Sequence, residues 1–159
     1  MIQQNIKGPA LFNRSWAEYK VGFNDSTGNY WLGNDLISQL TLSGRYKLRF
    51  DLQRRSGTWF TFEYSTIRVL PESHNYQALA GGFSAAHNQD VFGYSGGSNS
   101  MMFTTYDSDN DLDAGNCAVN KGGGFWYNKC GWAYPNSNYN NFYWDGVYLQ
   151  SSRMWLQCV

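Results

Sequence analysis

From Ser84 to about Asn141 the chain is dominated by Gly, Asn, Ser and Asp, and that stretch limits how the rest can fold. A structureless loop of such length is uncommon inside a compact domain, so ions, disulfides or a binding function must hold it. The chain has 159 residues, which fits one compact unit with its own core. Its large side chains are aromatic: seven Trp, twelve Tyr and ten Phe beside seventeen Gly. Rings supply rigid contact area and Gly and Asn accept tight turns, so the mixture suits an aromatic core under many loops or a loop-built contact surface.

Regular structure is legible on both sides of that stretch. Ser15-Trp16-Ala17-Glu18 reads as a capping box opening a short helix that runs through about Val21. Leu32, Leu36, Ile37 and Leu40 recur at helical spacing and predict a second short helix. From Gly44 the period becomes two, with Tyr46, Leu48, Phe50 and Leu52 on one face and Arg45, Lys47, Arg49 and Asp51 on the other. Ser56-Gly57 turns this strand into the aromatic and β-branched segment from Trp59 to Leu70, giving an antiparallel hairpin that Pro71 ends. Tyr76 to Phe83 reads as another strand, and Val147 to Cys158 as one that returns to the hairpin's sheet.

Twelve Lys plus Arg balance twelve Asp plus Glu, so no positive field gathers phosphates, and nucleic acid is not an expected partner. No run of ~18 apolar residues is present, so no membrane-spanning helix is expected. Met1 leads into Ile2, Gln3 and Gln4 rather than the charged start and apolar run of a secretory signal, which would then lie outside this chain. Asn13-Arg14-Ser15 and Asn24-Asp25-Ser26 are acceptor sequons if the protein is secreted.

Two histidines, His74 and His87, sit near no nucleophile motif, and no nucleophile elbow, phosphate loop or zinc-protease signature occurs; these readings argue against an enzyme. Cys117 and Cys130 bracket a Gly-rich loop, and closing a loop of about that size would contribute ~3 kcal/mol if they bond. Cys158 is then odd, either a free thiol or half of an intermolecular bridge, which keeps a homo-oligomer open. Asp107-Ser108-Asp109-Asn110-Asp111-Leu112-Asp113 crowds carboxylates that a hard cation or solvent must relieve. Either a solvated acidic turn or a Ca²⁺ site is consistent with it. The EF-hand pattern fails, since Leu112 stands where that loop needs Gly and Ala118 where it needs Glu.

Several blocks in order resemble the fibrinogen C-terminal domain. They are Phe12-Asn13-Arg14-Ser15-Trp16-Ala17-Glu18-Tyr19-Lys20-Val21-Gly22-Phe23, Tyr30-Trp31-Leu32-Gly33-Asn34, and Tyr46-Lys47-Leu48-Arg49-Phe50-Asp51-Leu52, then Met102-Phe103-Thr104-Thr105-Tyr106-Asp107-Ser108-Asp109-Asn110-Asp111. Asn116-Cys117-Ala118, Gly123-Gly124-Phe125-Trp126-Tyr127-Asn128-Lys129-Cys130 and Ser152-Arg153-Met154 continue the resemblance to the end. It implies an α+β fold: a central, mostly antiparallel sheet with short helices and a long loop-rich subdomain that binds calcium and ligand. Residues 1–159 are then one domain lacking most of the family's N-terminal disulfide subdomain, with an exposed edge expected where that subdomain is missing.

The same resemblance implies a Ca²⁺ site from the side chains of Asp109 and Asp111 and the carbonyls of Asp113 and Gly115. It further implies a Cys117–Cys130 disulfide and a cis peptide between Lys129 and Cys130, aiming the N–H groups of Cys130 and Gly131 at a ligand pocket. Lectin-like members such as ficolins and tachylectins bind acetylated sugars in that pocket. This chain has Gly131 where those lectins have His and Lys121 where an aromatic often stands, and Tyr143 and Trp144 lie where a pocket tyrosine is expected. The resemblance therefore predicts a secreted recognition module of innate-immunity type, taking a glycan or acetylated ligand. The alternative is an extracellular protein-interaction or matrix domain like the receptor-binding ends of angiopoietins and tenascins.

Overall fold

The computed structural model describes residues 1–6, 11–84, 90–93, 95–138 and 140–159. His87 lies outside the described residues. In chain order the elements are β1 (Gln3–Ile6), α1 (Trp16–Val21), β2 (Phe23–Asn24), β3 (Tyr30–Trp31), α2 (Asn34–Ser43), β4 (Tyr46–Arg54) and β5 (Trp59–Val69). A single 3₁₀ turn (Glu72–His74), β6 (Ala78–Ser84), α3 (Cys117–Lys121), β7 (Tyr143–Trp144) and β8 (Val147–Cys158) complete them.

The strands form one antiparallel sheet in the order β2-β3-β1-β8-β4-β5-β6, with β7 folded onto β8. The predicted alternation holds: Leu48, Phe50 and Leu52 of β4 are buried while Lys47, Arg49 and Asp51 lie on the opposite face. Register carries this face across the sheet. Phe50 sits between Phe62 of β5 and Met154 of β8, Met154 faces Gln3 of β1, and Gln3 faces Trp31 of β3. On the other face Arg49 is tied to Asp51 at 2.8 Å and to Glu63 at 3.9 Å.

The Gly-rich stretch is what covers the inner face. Phe92 packs on Phe50 and Tyr64, Phe103 and Trp126 on Trp31, and just beyond the stretch Trp144 stacks on Phe62 with centroids 5.5 Å apart. Rings therefore replace backbone ladders as the means of ordering these loops, each burying a large apolar area per residue. Close approach needs glycine at one point in particular: a Cβ on Gly123 would stand 2.0 Å from the Asn136 carbonyl oxygen.

The capping box forms, with the Ser15 hydroxyl accepting from the Glu18 N–H and the Glu18 carboxylate accepting from the Ser15 N–H. One expectation is corrected. Leu36 and Leu40 are 47% and 36% exposed, whereas Ile37, Ser38 and Thr41 face inward, one position round the helix. A specific bond, the Val69 N–H donating to the Thr41 hydroxyl at 3.0 Å, helps fix how α2 meets β5. β1 is an interior strand between β3 and β8, and the described edges are β2 and β6. Its inward side chains are polar, and their amide nitrogens find acceptors, Gln3 Nε2 donating to Pro135 O, Asn136 Oδ1 and Ser152 Oγ, and Asn5 Nδ2 to Pro135 O.

Candidate ligand pocket and acidic loop

Two neighbouring features are built on the loops around α3. The first is the acidic loop. The Asn116 side chain caps α3 by accepting from the Val119 N–H at 3.0 Å, and the loop before it folds round the Asp111 carboxylate. That carboxylate accepts from the Asp113 N–H at 3.0 Å and the Cys117 N–H at 2.9 Å, while Asp109 accepts from the Asp111 N–H at 3.3 Å. Partial burial, helped by the negative charge of Asp109, pushes the Asp111 carboxyl above its usual range despite the two backbone donors. Among the described residues no N–H donates to the carbonyls of Asp113 or Gly115, which are left as open oxygen donors. Asp113 also lies beside Cys117 and Cys130, but those sulfurs are joined in a disulfide with Cα atoms 5.2 Å apart and are not thiolate ligands.

The disulfide leads into the second feature. The Lys129–Cys130 peptide is trans, against the cis bond expected from the resemblance. The chain turns there through φ instead, with Cys130 at 56° and Gly131 at 69°, so the direction change needs no cis bond. Neither N–H is used by another described residue. Beyond the turn lies an open pocket of about 330 Å³ lined by Lys121, Gly131, Trp132, Tyr134, Asn140, Asn141, Tyr143 and Tyr148.

Of the expected pocket residues, Lys121, Gly131 and Tyr143 meet here. Cys130 stands behind Gly131, bonded to Cys117, and does not line the space. Trp144 is corrected: it is fully buried against Phe50 and Phe62. Tyr143 and Trp144 are adjacent in a strand, so their side chains leave on opposite faces and only one can reach the pocket. Asp145 and Gly146, at φ 37° and 85°, close a two-residue hairpin that sets Tyr143 opposite Tyr148 and Trp144 opposite Val147.

Trp132, Tyr134, Asn140, Asn141 and Tyr148 were not singled out by sequence. A signal for Tyr148 existed: Asp-Gly between two short aromatic and β-branched pairs marks a hairpin, and its register puts Tyr148 on the Tyr143 side. Tyr134 is held by its hydroxyl donating to the Gly131 carbonyl at 2.6 Å and by its N–H donating to the Tyr143 carbonyl at 2.8 Å. Burial and then the nearby Tyr143 push its phenol above the usual range, so it stays neutral. The Lys121 ammonium lies 4.4 Å from its ring centroid.

The fold and this loop cluster define a class, the fibrinogen-like globe, and comparison with known proteins agrees. The family model for the C-terminal globular domain of fibrinogen beta and gamma chains matches residues 1–157. The chain therefore belongs to the fibrinogen C-terminal domain family. It is 38% identical to human angiopoietin-related protein 2 over 159 residues, covering 96% of this chain and 31% of that protein. It is 38% identical to human ficolin-3 over 130 residues, covering 82% of this chain and 42% of that one. The fibrinogen-like globe domain of human ANGPTL2 superposes with a TM-score of 0.86 at 33% identity, covering 99% of this chain and 78% of that one. Lamprey fibrin D-dimer, solved with the peptide Gly-His-Arg-Pro-amide, gives 0.81 at 28%, covering 98% and 59%. The chain thus spans about a third of the curated angiopoietin-related protein it matches.

Proposed function

We propose that this chain is an extracellular, non-enzymatic recognition module that binds glycans or acetylated ligands in the Lys121–Gly131–Tyr143 pocket, next to a calcium-holding loop. The observation that carries the reading is the pocket's make-up. Aromatic walls from Tyr134, Tyr143 and Tyr148 suit the apolar faces of sugar rings, while the amides of Asn140 and Asn141 and the ammonium of Lys121 supply directional polar contacts. The N–H groups of Cys130 and Gly131, which no described residue accepts from, support a carbonyl-binding role for the turn behind it. Membership of a family that includes ficolin-3 supports the glycan class, and likeness to angiopoietin-related protein 2 keeps a protein ligand as the rival.

Calcium belongs to the same reading. The side chains of Asp109 and Asp111 and the open carbonyls of Asp113 and Gly115 are hard oxygen donors of the kind Ca²⁺ takes, and a cation there would offset the burial that chiefly raises the Asp111 carboxyl. Bound there, Ca²⁺ would supply charge neutralisation and hold the loop leading into Cys117.

With Gly131 giving no side-chain wall and Lys121 adding a positive charge, ligands carrying a carboxylate are preferred over neutral N-acetyl sugars. Titration calorimetry in calcium with N-acetylglucosamine and N-acetylneuraminic acid tests this. The acidic sugar should bind more tightly, and Lys121→Ala should weaken it about fivefold, the ~1 kcal/mol of an exposed charge pair. Tight binding of the neutral sugar, or an acidic preference that survives Lys121→Ala, sinks the assignment. Silence toward every sugar with capture of a protein partner transfers the function to the rival class.

A further inference from the structure

A second cavity, of about 420 Å³, opens where β4 and β5 part. Their pairing runs from Gln53 opposite Trp59 to Leu48 opposite Tyr64 and stops there, although β5 continues to Val69. The cause lies in β5 itself. Its buried residues are Phe62 and Tyr64 before that point and Ile67 and Val69 after it, so the strand turns over at Ser65 and Thr66, which are both exposed. Past the turn the Val69 N–H is taken by the Thr41 hydroxyl of α2. β4 enters the gap from Gly44 and Arg45, and the Val159 N–H donates to the Arg45 carbonyl at 3.1 Å, which ties Val159 to that side.

This cavity gathers two arginines that the fold leaves unengaged. Arg14 and Arg49 are ion-paired, Arg54 and Arg55 lie over rings, and Arg153 lies over Trp59 while donating to Gln4. Among the described residues Arg45 and Arg68 have no carboxylate, ring or side-chain hydrogen-bond partner, and both are exposed at this cleft. Two cations at one cleft raise its potential, a cost that a bound anion removes. We propose that the cleft is a second ligand site, independent of the Lys121 pocket, and that it takes a small amphipathic carboxylate. The acid group goes to Arg45 and Arg68, and an apolar body lies along Tyr46, Ile67 and Val159. The volume falls within the ~300–1,000 Å³ of small-molecule pockets. The walls are mostly apolar, unlike those of the Lys121 pocket, so an aliphatic or aromatic body buries surface that a bare anion or a sugar would leave in water. Guanidinium suits the acid end because its planar fork donates two parallel hydrogen bonds to a carboxylate and stays charged at every working pH. The exposure of both arginines makes that half of the interaction sensitive to salt.

Octanoate, its neutral amide octanamide, and acetate separate the two halves of the proposal in titration calorimetry. Octanoate should bind the wild type saturably and acetate should not. Arg45→Ala and Arg68→Ala should each weaken octanoate about fivefold, the worth of one exposed charge contact, and leave octanamide unchanged. Octanamide, which forgoes both contacts, should bind the wild type about 25-fold more weakly than octanoate. Neither arginine is ion-paired, so the melting temperature should not move in either variant. Amide shifts on adding octanoate should cluster at residues 44–46 and 65–68, and N-acetylneuraminic acid should not displace it. The site is overturned if octanoate fails to saturate the wild type, binds no better than its amide, or is indifferent to both arginine substitutions. Acetate binding as tightly as octanoate overturns the amphipathic ligand class, and displacement by the acidic sugar overturns the independence of the two sites. The two cavities share no lining residue, so failure here leaves the sugar-binding reading of Lys121 standing.

Discussion

Tyr143 and Trp144 are neighbours in sequence and opposite in role. Both are large aromatics near an Asp-Gly pair, and from sequence both are candidates for a pocket wall. The strand geometry separates them, sending Tyr143 to the pocket and Trp144 into full burial on Phe50 and Phe62. Truncating Trp144 to alanine should therefore cost about 3–5 kcal/mol through the cavity it leaves, measured by urea denaturation, whereas Tyr143→Ala should cost much less and act on binding. Comparable stability losses for the two would contradict this division. At this scale residue types are legible in the sequence but their facing is not, because the deciding fact is the hairpin register. Lys121 shows the same limit: its charge is legible, but its seat over Tyr134 depends on a turn closed by the Tyr134 hydroxyl and the Gly131 carbonyl.

Among the elements, β4 was legible from its period of two, β5 from its aromatic and β-branched content, and β8 as an apolar stretch returning to the sheet. β1 was not, since its inward residues are Gln3 and Asn5 and no apolar alternation marks it. α3 is too short to show a helical period. Yet β1 matters to the site. The amide of Gln3 holds Pro135, Asn136 and Ser152 at once, and Asn5 also reaches the Ser137 carbonyl, so this strand pins the loop that carries Tyr134. Gln3→Leu should leave those acceptors buried without a donor and cost about 1–3 kcal/mol. Hydrogen exchange should quicken across residues 131–138 before it does in β4. Unchanged protection in that loop would mean that its order comes from elsewhere.

For the whole molecule, the long Gly-rich stretch is ordered by three kinds of tie: rings on the sheet, the Cys117–Cys130 bond, and the folding of the acidic loop round Asp111. The first two are present without any ion. The third leaves Asp111 partly buried with Asp109 close by, an arrangement that resists ionisation and so opposes folding at neutral pH. A cation that binds only the folded loop removes that opposition, and by mass action it stabilises the native state by about 2.7 kcal/mol at a hundredfold excess over its dissociation constant. For a domain near this size each kcal/mol moves the melting temperature by about 2–4 °C, so saturating Ca²⁺ should raise it by about 5–10 °C and chelator should reverse the shift. Asp109→Ala should abolish the calcium response while melting close to the metal-free wild type, because the burial that chiefly opposes ionisation of Asp111 is left in place. Magnesium, which demands a tighter octahedron and sheds water reluctantly, should reproduce little of the shift. A melting temperature indifferent to both calcium and chelator, in the wild type and Asp109→Ala alike, would make the loop a solvated acidic turn.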